Sequence, residues 1–255
     1  MADEQTKPRA ALISGAGRRI GRAIALALSR AGYAVVLHAH RSRSEAEELA
    51  GEIAGAGGRA SVVLANLADA EALRGLVPAA AAFGPLTLLV NNASVFDDDD
   101  IATLERGAFE RTLAVNLTAP VFLSQAFAAQ APERADASIV NVVDQRVLKP
   151  TPRFFSYTLS KSALHSATVT LAQALAPKLR VNAVAPGPTL PSPRQSPAQF
   201  AAQAATVPLG RGPTPEEIAA AVVYLAQAKS VTGTVIAVDG GQHIAWRTLD
   251  SDGAE

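Results

Sequence analysis

The chain has 255 residues, 49% of them hydrophobic, so it is long enough to bury a large core. Its formal net charge is zero and its isoelectric point is about 6.9, which gives no indication of a nucleic-acid or anionic-membrane partner. It contains no cysteine, which excludes disulfides, thiolate metal sites and cysteine nucleophiles and agrees with a cytoplasmic location.

Short apolar runs alternate with longer helical patterns along the whole chain. The predicted strands are 10–14, 34–39, 60–65, 86–91, 138–143, 180–185 and 234–239. Each run is almost continuously apolar, as expected for a strand that is buried on both faces. The sequence therefore predicts an α/β fold: one Rossmann-type, doubly wound domain over 8–246, with about seven parallel strands and helices on both faces.

The two ends of the chain are polar. Residues 1–7 and 247–255 are expected to be flexible termini. The opening MADEQTKP has no apolar stretch of the signal-peptide kind, and no run of about 18 apolar residues predicts a membrane-spanning helix.

The stretch SGAGRRIGRAIA at 14–25 links the first strand to a helix. Glycines at 15, 17 and 21 would let the backbone approach a phosphate closely, and a helix N-terminus favours negative charge. A dinucleotide site is the prediction, and an ordinary strand-to-helix turn is the alternative.

The end of the second predicted strand, LHAHRSRSE, indicates which dinucleotide is bound. An NAD site wants an acidic residue there, but His40, Arg41 and Ser42 occupy the position. A guanidinium beside a hydroxyl suits a 2′-phosphate, so NADP(H) is the expected cofactor. A solvated basic turn is the alternative.

Two loops and an acidic run follow the fourth predicted strand. Asp97–Asp100 is expected to be a solvated loop, with the orientation of a cationic ligand as the alternative. The Pro-rich stretches 148–153 and 186–197 are predicted loops, and the second is long enough to be a lid over a site. Within it, Arg194 is a candidate substrate contact.

Tyr157 and Lys161 are four residues apart and share one face of a predicted helix. A nearby ammonium is expected to lower the pKa of the tyrosine below about 10, toward general-acid work. Taken alone, this spacing is more typical of an exposed helix face.

Several motifs together resemble the short-chain dehydrogenase/reductase family over about 8–246. They are SGAGRRIG (14–21), NNAS (91–94), Asn116 in LAVNLTAP, YTLSK (157–161), RVNAVAPGP (180–188) and VTG with VDGG (231–241). The resemblance implies that Tyr157 transfers a proton, that Lys161 holds the nicotinamide ribose, and that Asn116 supports a water chain to the lysine. It also implies a homotetramer formed through helices at about 105–130 and 155–175.

The resemblance implies a set of cofactor-binding residues along these motifs. They are Gly15, Arg18, Arg19, Ile20, Gly21, His40, Arg41, Ser42, Asn66, Leu67, Asn92, Ala93, Ser94, Lys161, Pro186 and Gly187. Two of them depart from the family pattern: Arg19 replaces a glycine, and Asn66 replaces an acidic residue that usually meets adenine.

A third departure concerns the substrate. Asp144 occupies the position of the family's catalytic serine. Hydride transfer to a ketone builds negative charge on oxygen, which a carboxylate would repel unless it were protonated. Reduction of a C=N bond passes through a cation-like centre that a carboxylate stabilises. Asp144 therefore favours a nitrogen heterocycle, although a carboxylate that merely caps the next turn is the structural alternative.

A narrower resemblance, to pteridine reductases and bacterial dihydromonapterin or dihydrofolate reductases, agrees with this chemistry. It implies a pterin that stacks on Phe96 and contacts Arg19, Ser94, Asp144, Tyr157 and Pro188. Tyr157, coupled to Asp144 and Lys161, would supply or relay the proton, although a water near Arg19 could serve instead. Core packing is the alternative for Phe96, and a surface helix start is the alternative for Arg19.

Other interpretations remain open at this point. One is a general NADP-dependent reductase of 3-oxoacyl compounds or ketones, which a serine at position 144 would favour. Another is a catalytically silent NADP-binding sensor, against which Asn116, Tyr157 and Lys161 speak. The histidines show no metal-ligand spacing, so no metal is proposed.

Overall fold

The computed structural model describes residues 9–131 and 136–246 of the chain, so the termini expected to be flexible lie outside the described residues. The strands are β1 (Ala10–Ile13), β2 (Ala34–Ala39), β3 (Ala60–Leu64), β4 (Leu86–Asn91), β5 (Ala137–Val142), β6 (Leu179–Pro186) and β7 (Val235–Val238). Each lies within one residue of its predicted bounds, because apolar runs mark the strands. The expectation that every strand is buried on both faces is wrong for the edge strands β3 and β7, which are only partly buried because each has a neighbour on one side only.

The strands form one seven-stranded sheet in the order β3-β2-β1-β4-β5-β6-β7, and every neighbouring pair is parallel. This confirms the predicted doubly wound α/β fold. The strand order reverses direction between β1 and β4, and ligands of such sheets bind at the carboxyl ends of the strands near this reversal.

Eight α-helices connect and cover the strands in the described ranges. They are α1 (Arg19–Arg30), α2 (Arg43–Gly55), α3 (Ala70–Ala81), α4 (Arg106–Leu113), α5 (Ala119–Gln130), α6 (Phe155–Leu175), α7 (Pro197–Ala205) and α8 (Pro215–Gln227). The last two begin with capping boxes, Ser196 with Gln199 and Thr214 with Glu217, and each has Pro in its first turn.

Hydrophobic cores lie on both faces of the sheet. Successive residues of β1 point into different cores. Leu12 packs toward α3 and α5, whereas Ile13 packs toward α1, α2 and α8. This alternation is the period-2 geometry of a strand. The two cores hold the carboxyl ends of the strands rigidly at one edge of the sheet.

One helical run, Arg106–Gln130, comprises α4, a π-helical turn (Ala114–Thr118) and α5. By length and composition alone it could cross a membrane, a test that core helices of soluble proteins also pass. Here Leu123 and Phe127 are buried in the core beside the sheet, with at most 1% of their surface exposed.

Candidate active site

The glycine turn after β1 is packed too closely for any side chain at two of its positions. A Cβ on Gly15 would lie 2.9 Å from the Cα of Ala93, and one on Gly21 would lie 2.2 Å from the oxygen of Gly15. Gly15 also has a φ of +65°, which other residues adopt only with strain. The side-chain amide of Asn92 donates to the Gly15 oxygen at 3.0 Å and so binds the turn to the end of β4.

His38, on β2, supports the same turn from below. Its Nδ1 accepts the N–H of Gly15 at 3.2 Å, so the ring proton is placed on Nε2, 3.1 Å from the oxygen of Ala65. Burial lowers the pKa of this histidine to about 4, so the ring is neutral at physiological pH. Nothing in the sequence indicates this role for His38.

The end of β2 presents the basic residues expected for a 2′-phosphate. His40 and Arg41 are exposed. A Cβ on Gly17 would lie 3.2 Å from the Oγ of Ser42, so the glycine turn contacts the residues that follow β2. Arg18 lies 3.6 Å from Glu45. The cradle of backbone and the adjoining cations fit a phosphorylated dinucleotide.

The remaining predicted cofactor residues lie along the same edge. Asn66 is exposed after β3 and accepts the N–H of Ala68 at 3.1 Å, whereas Leu67 is buried in the core. Pro186 ends β6, and the N–H of Gly187 donates to the oxygen of Val238 at 3.0 Å. The buried side chain of Leu67 leaves only its backbone for a ligand.

Arg19 joins the glycine turn to the loop that follows Gly187. It has a positive φ of 54°, and its guanidinium donates to the oxygens of Leu190 and Pro191 at 3.2 and 2.9 Å. Burial and the charge of Arg18 lower the pKa of Arg19. Arg19 was predicted to meet cofactor phosphate and pterin; in this structure its side chain holds the loop beyond Pro188.

Asn116 lies in the π-helical turn and is completely buried. Its amide donates to the oxygen of Val95 at 2.9 Å and to the Oγ of Ser160 at 3.1 Å, while its oxygen accepts from Val95 and Ser94. Asn116 therefore fastens the NNAS segment to α6. In the described part of the chain no direct hydrogen bond joins it to Lys161, so its predicted water-chain role stays a prediction.

Tyr157 and Asp144 meet as a hydrogen-bonded pair. The tyrosine hydroxyl donates to Oδ2 of Asp144 at 2.9 Å. Burial and this carboxylate raise the pKa of Tyr157 well above its ordinary value, which Arg146 opposes only in part. The expectation that Lys161 lowers this pKa is therefore wrong for this structure.

The reason lies in where Lys161 is directed. Its Nζ donates to the oxygen of Val142 at 2.7 Å and lies 5.8 Å from the centre of the Tyr157 ring. Burial lowers the pKa of Lys161 to about 8, against the opposing effect of Asp144. At neutral pH, Lys161 is therefore still mostly in its ammonium form.

Arg146 is a neighbour of Asp144 that sequence reasoning missed. Oδ1 of Asp144 accepts the backbone N–H of Arg146 at 2.8 Å and its Nη1 at 3.2 Å. Asp144 thereby caps a short 3-10 turn, Gln145–Val147, which was the structural alternative for it. Asp144 therefore both caps the 3-10 turn and binds the Tyr157 hydroxyl. The i, i+2 spacing of the two charges was the only available signal.

An aromatic stack packs against Tyr157. The rings of Phe96 and Phe154 are parallel, 4.3 Å apart, and the edge contact of Phe96 with Tyr157 spans 4.6 Å. The guanidinium of Arg194 is nearly equidistant from both phenyl rings, at 5.5 and 5.6 Å, so it lies at the side of the stack. Its Nη2 also donates to the oxygen of Phe96 at 2.9 Å.

Phe154 was also missed, although two adjacent phenylalanines before a helix are an uncommon start. Its φ is 55°, in the left-handed region. The structure therefore places Phe96 beside Tyr157 and Asp144, as the pterin hypothesis requires, but one face of Phe96 is covered by Phe154.

The acidic run is more than a solvated loop. Asp97 pairs with Arg111, Asp98 with Arg153, and Asp100 forms a turn with Thr103. Asp99 accepts the backbone N–H of Ser156 at 3.1 Å and so caps α6, the helix that carries Tyr157. Asp99 thus fixes the start of α6, and the alternative of orienting a cationic ligand stays a prediction.

Within residues 9–131 and 136–246, no group of three or more acidic or histidine side chains is arranged to hold a metal ion. His243, for example, is held by Asp239, with 2.8 Å between Nδ1 and Oδ2.

Comparisons with known proteins agree with this arrangement. Residues 15–243 match the profile of a family described as enoyl-(acyl carrier protein) reductase. An uncharacterized oxidoreductase of Methylorubrum extorquens is 36% identical over 91% of this chain and 97% of its own length. A 3-oxoacyl-[acyl-carrier-protein] reductase of Synechocystis is 31% identical over 91% of this chain and 95% of its own.

Two solved structures are more similar still. FolM alternative dihydrofolate reductase 1 from Brucella canis, complexed with NADP, has a TM-score of 0.92 and 48% identity over 95% of this chain and 96% of that one. The Brucella suis protein, also with NADP, has a TM-score of 0.92 and 49% identity over 95% and 98%.

Proposed function

Because the chain belongs to the short-chain dehydrogenase/reductase family, we propose that it reduces a C=N bond of a dihydropterin-like substrate. It is an oxidoreductase of that family with NADP(H) as its cofactor. The observation that carries the proposal is the hydrogen bond from Tyr157 to Asp144, a carboxylate where the family has a serine.

The cofactor supplies the hydride that the substrate carbon takes up. The glycine turn, Ser42 and Arg41 hold its phosphates, and the ammonium of Lys161 holds the ribose. These roles follow from the family resemblance and from the cradle that the side-chain-free glycines leave open.

The substrate nitrogen must gain a proton when the carbon gains the hydride. Tyr157 holds its proton toward Asp144, and its raised pKa keeps it protonated before the reaction. The hydroxyl gives its proton to the ring nitrogen and becomes a phenolate, which takes up a proton from water before the next turnover. Asp144 stabilises the cation-like centre as it forms. A carboxylate would have the opposite effect on the oxyanion of a ketone.

The aromatic stack supports a flat substrate. Phe96 already accepts a parallel ring at 4.3 Å, so a pterin ring can take the place of Phe154 or lie on the other face. The names of the Brucella proteins, which are 48% and 49% identical, support a reduced folate or pterin as the substrate.

The test replaces the carboxylate with the family's usual hydroxyl. We expect Asp144→Ser to lower kcat/KM for dihydropterins by about 10²–10³-fold, the effect of removing one preorganised charge-stabilising group. The assay is NADPH oxidation with dihydrobiopterin, dihydromonapterin, dihydrofolate and a panel of ketones. Asp98→Ser, in an exposed ion pair, is the control. Unchanged pterin reduction in Asp144→Ser would refute the proposal.

A second candidate function is the reduction of 3-oxoacyl compounds or other ketones, which the Synechocystis relative's name supports. The same panel separates the two. A ketone reductase would turn over ketones and not pterins in its native form, and Asp144→Ser would raise its ketone activity.

We propose in addition that the protein is a cytoplasmic homotetramer assembled through α4, α5 and α6. Phe122 on α5 and Leu159 on α6 are 53% and 43% exposed, which is unusual for large apolar side chains. Light scattering during size-exclusion chromatography would measure the assembly directly, and Phe122→Glu should dissociate it.

A further inference from the structure

Arg146 has no role in the family resemblance, yet it makes more contacts with Asp144 than any catalytic residue does. Its backbone N–H binds Oδ1, its Nη1 lies 3.2 Å from Oδ1 and 3.4 Å from Oδ2, and the Tyr157 hydroxyl binds Oδ2. The two side chains are only 16% and 15% exposed, so water screens their attraction weakly.

From these contacts we propose that Arg146 is the positioning residue of the active site. Its backbone N–H and its guanidinium clamp the Asp144 carboxylate in one orientation, so that Oδ2 stays within hydrogen-bond distance of the Tyr157 hydroxyl. The consequence for the reaction rests on the proposed pterin function, but the clamp itself does not.

Burying the charge of a carboxylate in an aromatic pocket is costly unless hydrogen-bond donors and a counter-charge compensate it. Arg146 supplies both, because two of the three donors to Asp144 are its own. Removing the guanidinium leaves one backbone donor and the tyrosine hydroxyl.

The other charged groups around Asp144 do not replace Arg146. From α6, Tyr157 is uncharged, and Lys161 directs its Nζ to the oxygen of Val142. From the loop after Gly187, Arg194 donates to the oxygen of Phe96. From the C-terminal 3-10 turn, which packs against Gln145–Val147, His243 is bound to Asp239.

One hydrogen-bond donor of Arg146 is not used by the described residues. Its Nε is buried and has no hydrogen-bond partner within the described residues. Its guanidinium lies 5.5 and 5.1 Å from the Phe96 and Phe154 ring centres, beside the position proposed for the substrate. A ligand atom that accepts a hydrogen bond can therefore bind next to Asp144.

The experiment compares the native enzyme with Arg146→Met, which keeps an apolar stem against the rings but removes the charge. Two quantities are followed: kcat/KM for dihydrobiopterin, and the infrared band of the Asp144 carboxylate, assigned by its loss in Asp144→Asn. We expect the carboxylate band to shift and kcat/KM to fall by about 10–100-fold, the effect of losing a hydrogen bond to a charged group. Arg146→Lys should restore most of the change.

Arg153→Met is the matched control, since Arg153 also lies 5.5 Å from the Phe154 ring but pairs with Asp98. An identical carboxylate band in native enzyme and Arg146→Met would overturn the proposal. If Arg146→Met does not fold, Arg146→Gln gives the same comparison. A shifted carboxylate band in a protein that shows no pterin turnover even in its native form would contradict the pterin function and leave the clamp standing.

Discussion

His38 should make the stability of the protein fall in mild acid. Its pKa is about 4 when folded, against about 6.5 when unfolded, because burial disfavours the charged ring. A depressed pKa means that the stability is fully present above 6.5 and is lost as pH falls through 4. The difference corresponds to about 3 kcal/mol in total, and to about 2 kcal/mol between pH 8 and pH 5.

Urea unfolding at pH 8, 7, 6 and 5 would measure this loss. Other groups titrate over the same range, so the native protein is compared with His38→Gln, whose amide can accept and donate a hydrogen bond but does not ionise. The informative quantity is the difference between the two proteins in how the free energy of unfolding changes with pH. His165→Gln, on α6, is the control. If His38→Gln loses as much stability between pH 8 and pH 5 as the native protein, protonation of His38 is not the cause.

Three further substitutions test the site. Tyr157→Phe should lower kcat by about 10²–10⁴-fold while NADPH binding, followed by fluorescence, persists; near-normal turnover would exclude the tyrosine as proton donor. Arg41→Asp should raise the KM for NADPH far more than that for NADH, since a carboxylate repels the 2′-phosphate, and an unchanged ratio of the two would contradict this site. Asp99→Ala should cost about 1 kcal/mol of unfolding free energy by removing the cap of α6; in urea titrations, a loss no larger than that of Asp97→Ala would show that the cap is unimportant.

The strands and the glycine turn could be predicted because their signals are local. A continuous apolar run such as AVVLHA indicates a buried strand without reference to the rest of the chain, and the observed β2 has the predicted bounds. The glycines at 15 and 21 form a local pattern between a strand and a helix, although the residue packed closest to Gly15, Ala93, is distant in the sequence. Asp144, Tyr157 and Lys161 could be placed together because parallel strands end at one edge of the sheet.

The missed features all depend on contacts between distant segments. The pKa of Tyr157 is raised by burial and by Asp144, and the helix pattern of the sequence indicates neither. Asp99 caps α6 from a loop 57 residues earlier in the chain, so its acidic run looked solvated. His38 had no visible partner until the fold brought Gly15 and Ala65 to its two nitrogens.

The stack of Phe154 on Phe96 has a consequence for selectivity. A flat ligand that takes the place of Phe154 exchanges one aromatic contact for another, so it removes little new apolar surface from water. The hydrophobic gain is then similar for every planar ring of that size. Discrimination among such rings falls to the hydrogen bonds with Asp144, Tyr157 and the free Nε of Arg146, and the pocket selects by the pattern of donors and acceptors on the ligand's edge.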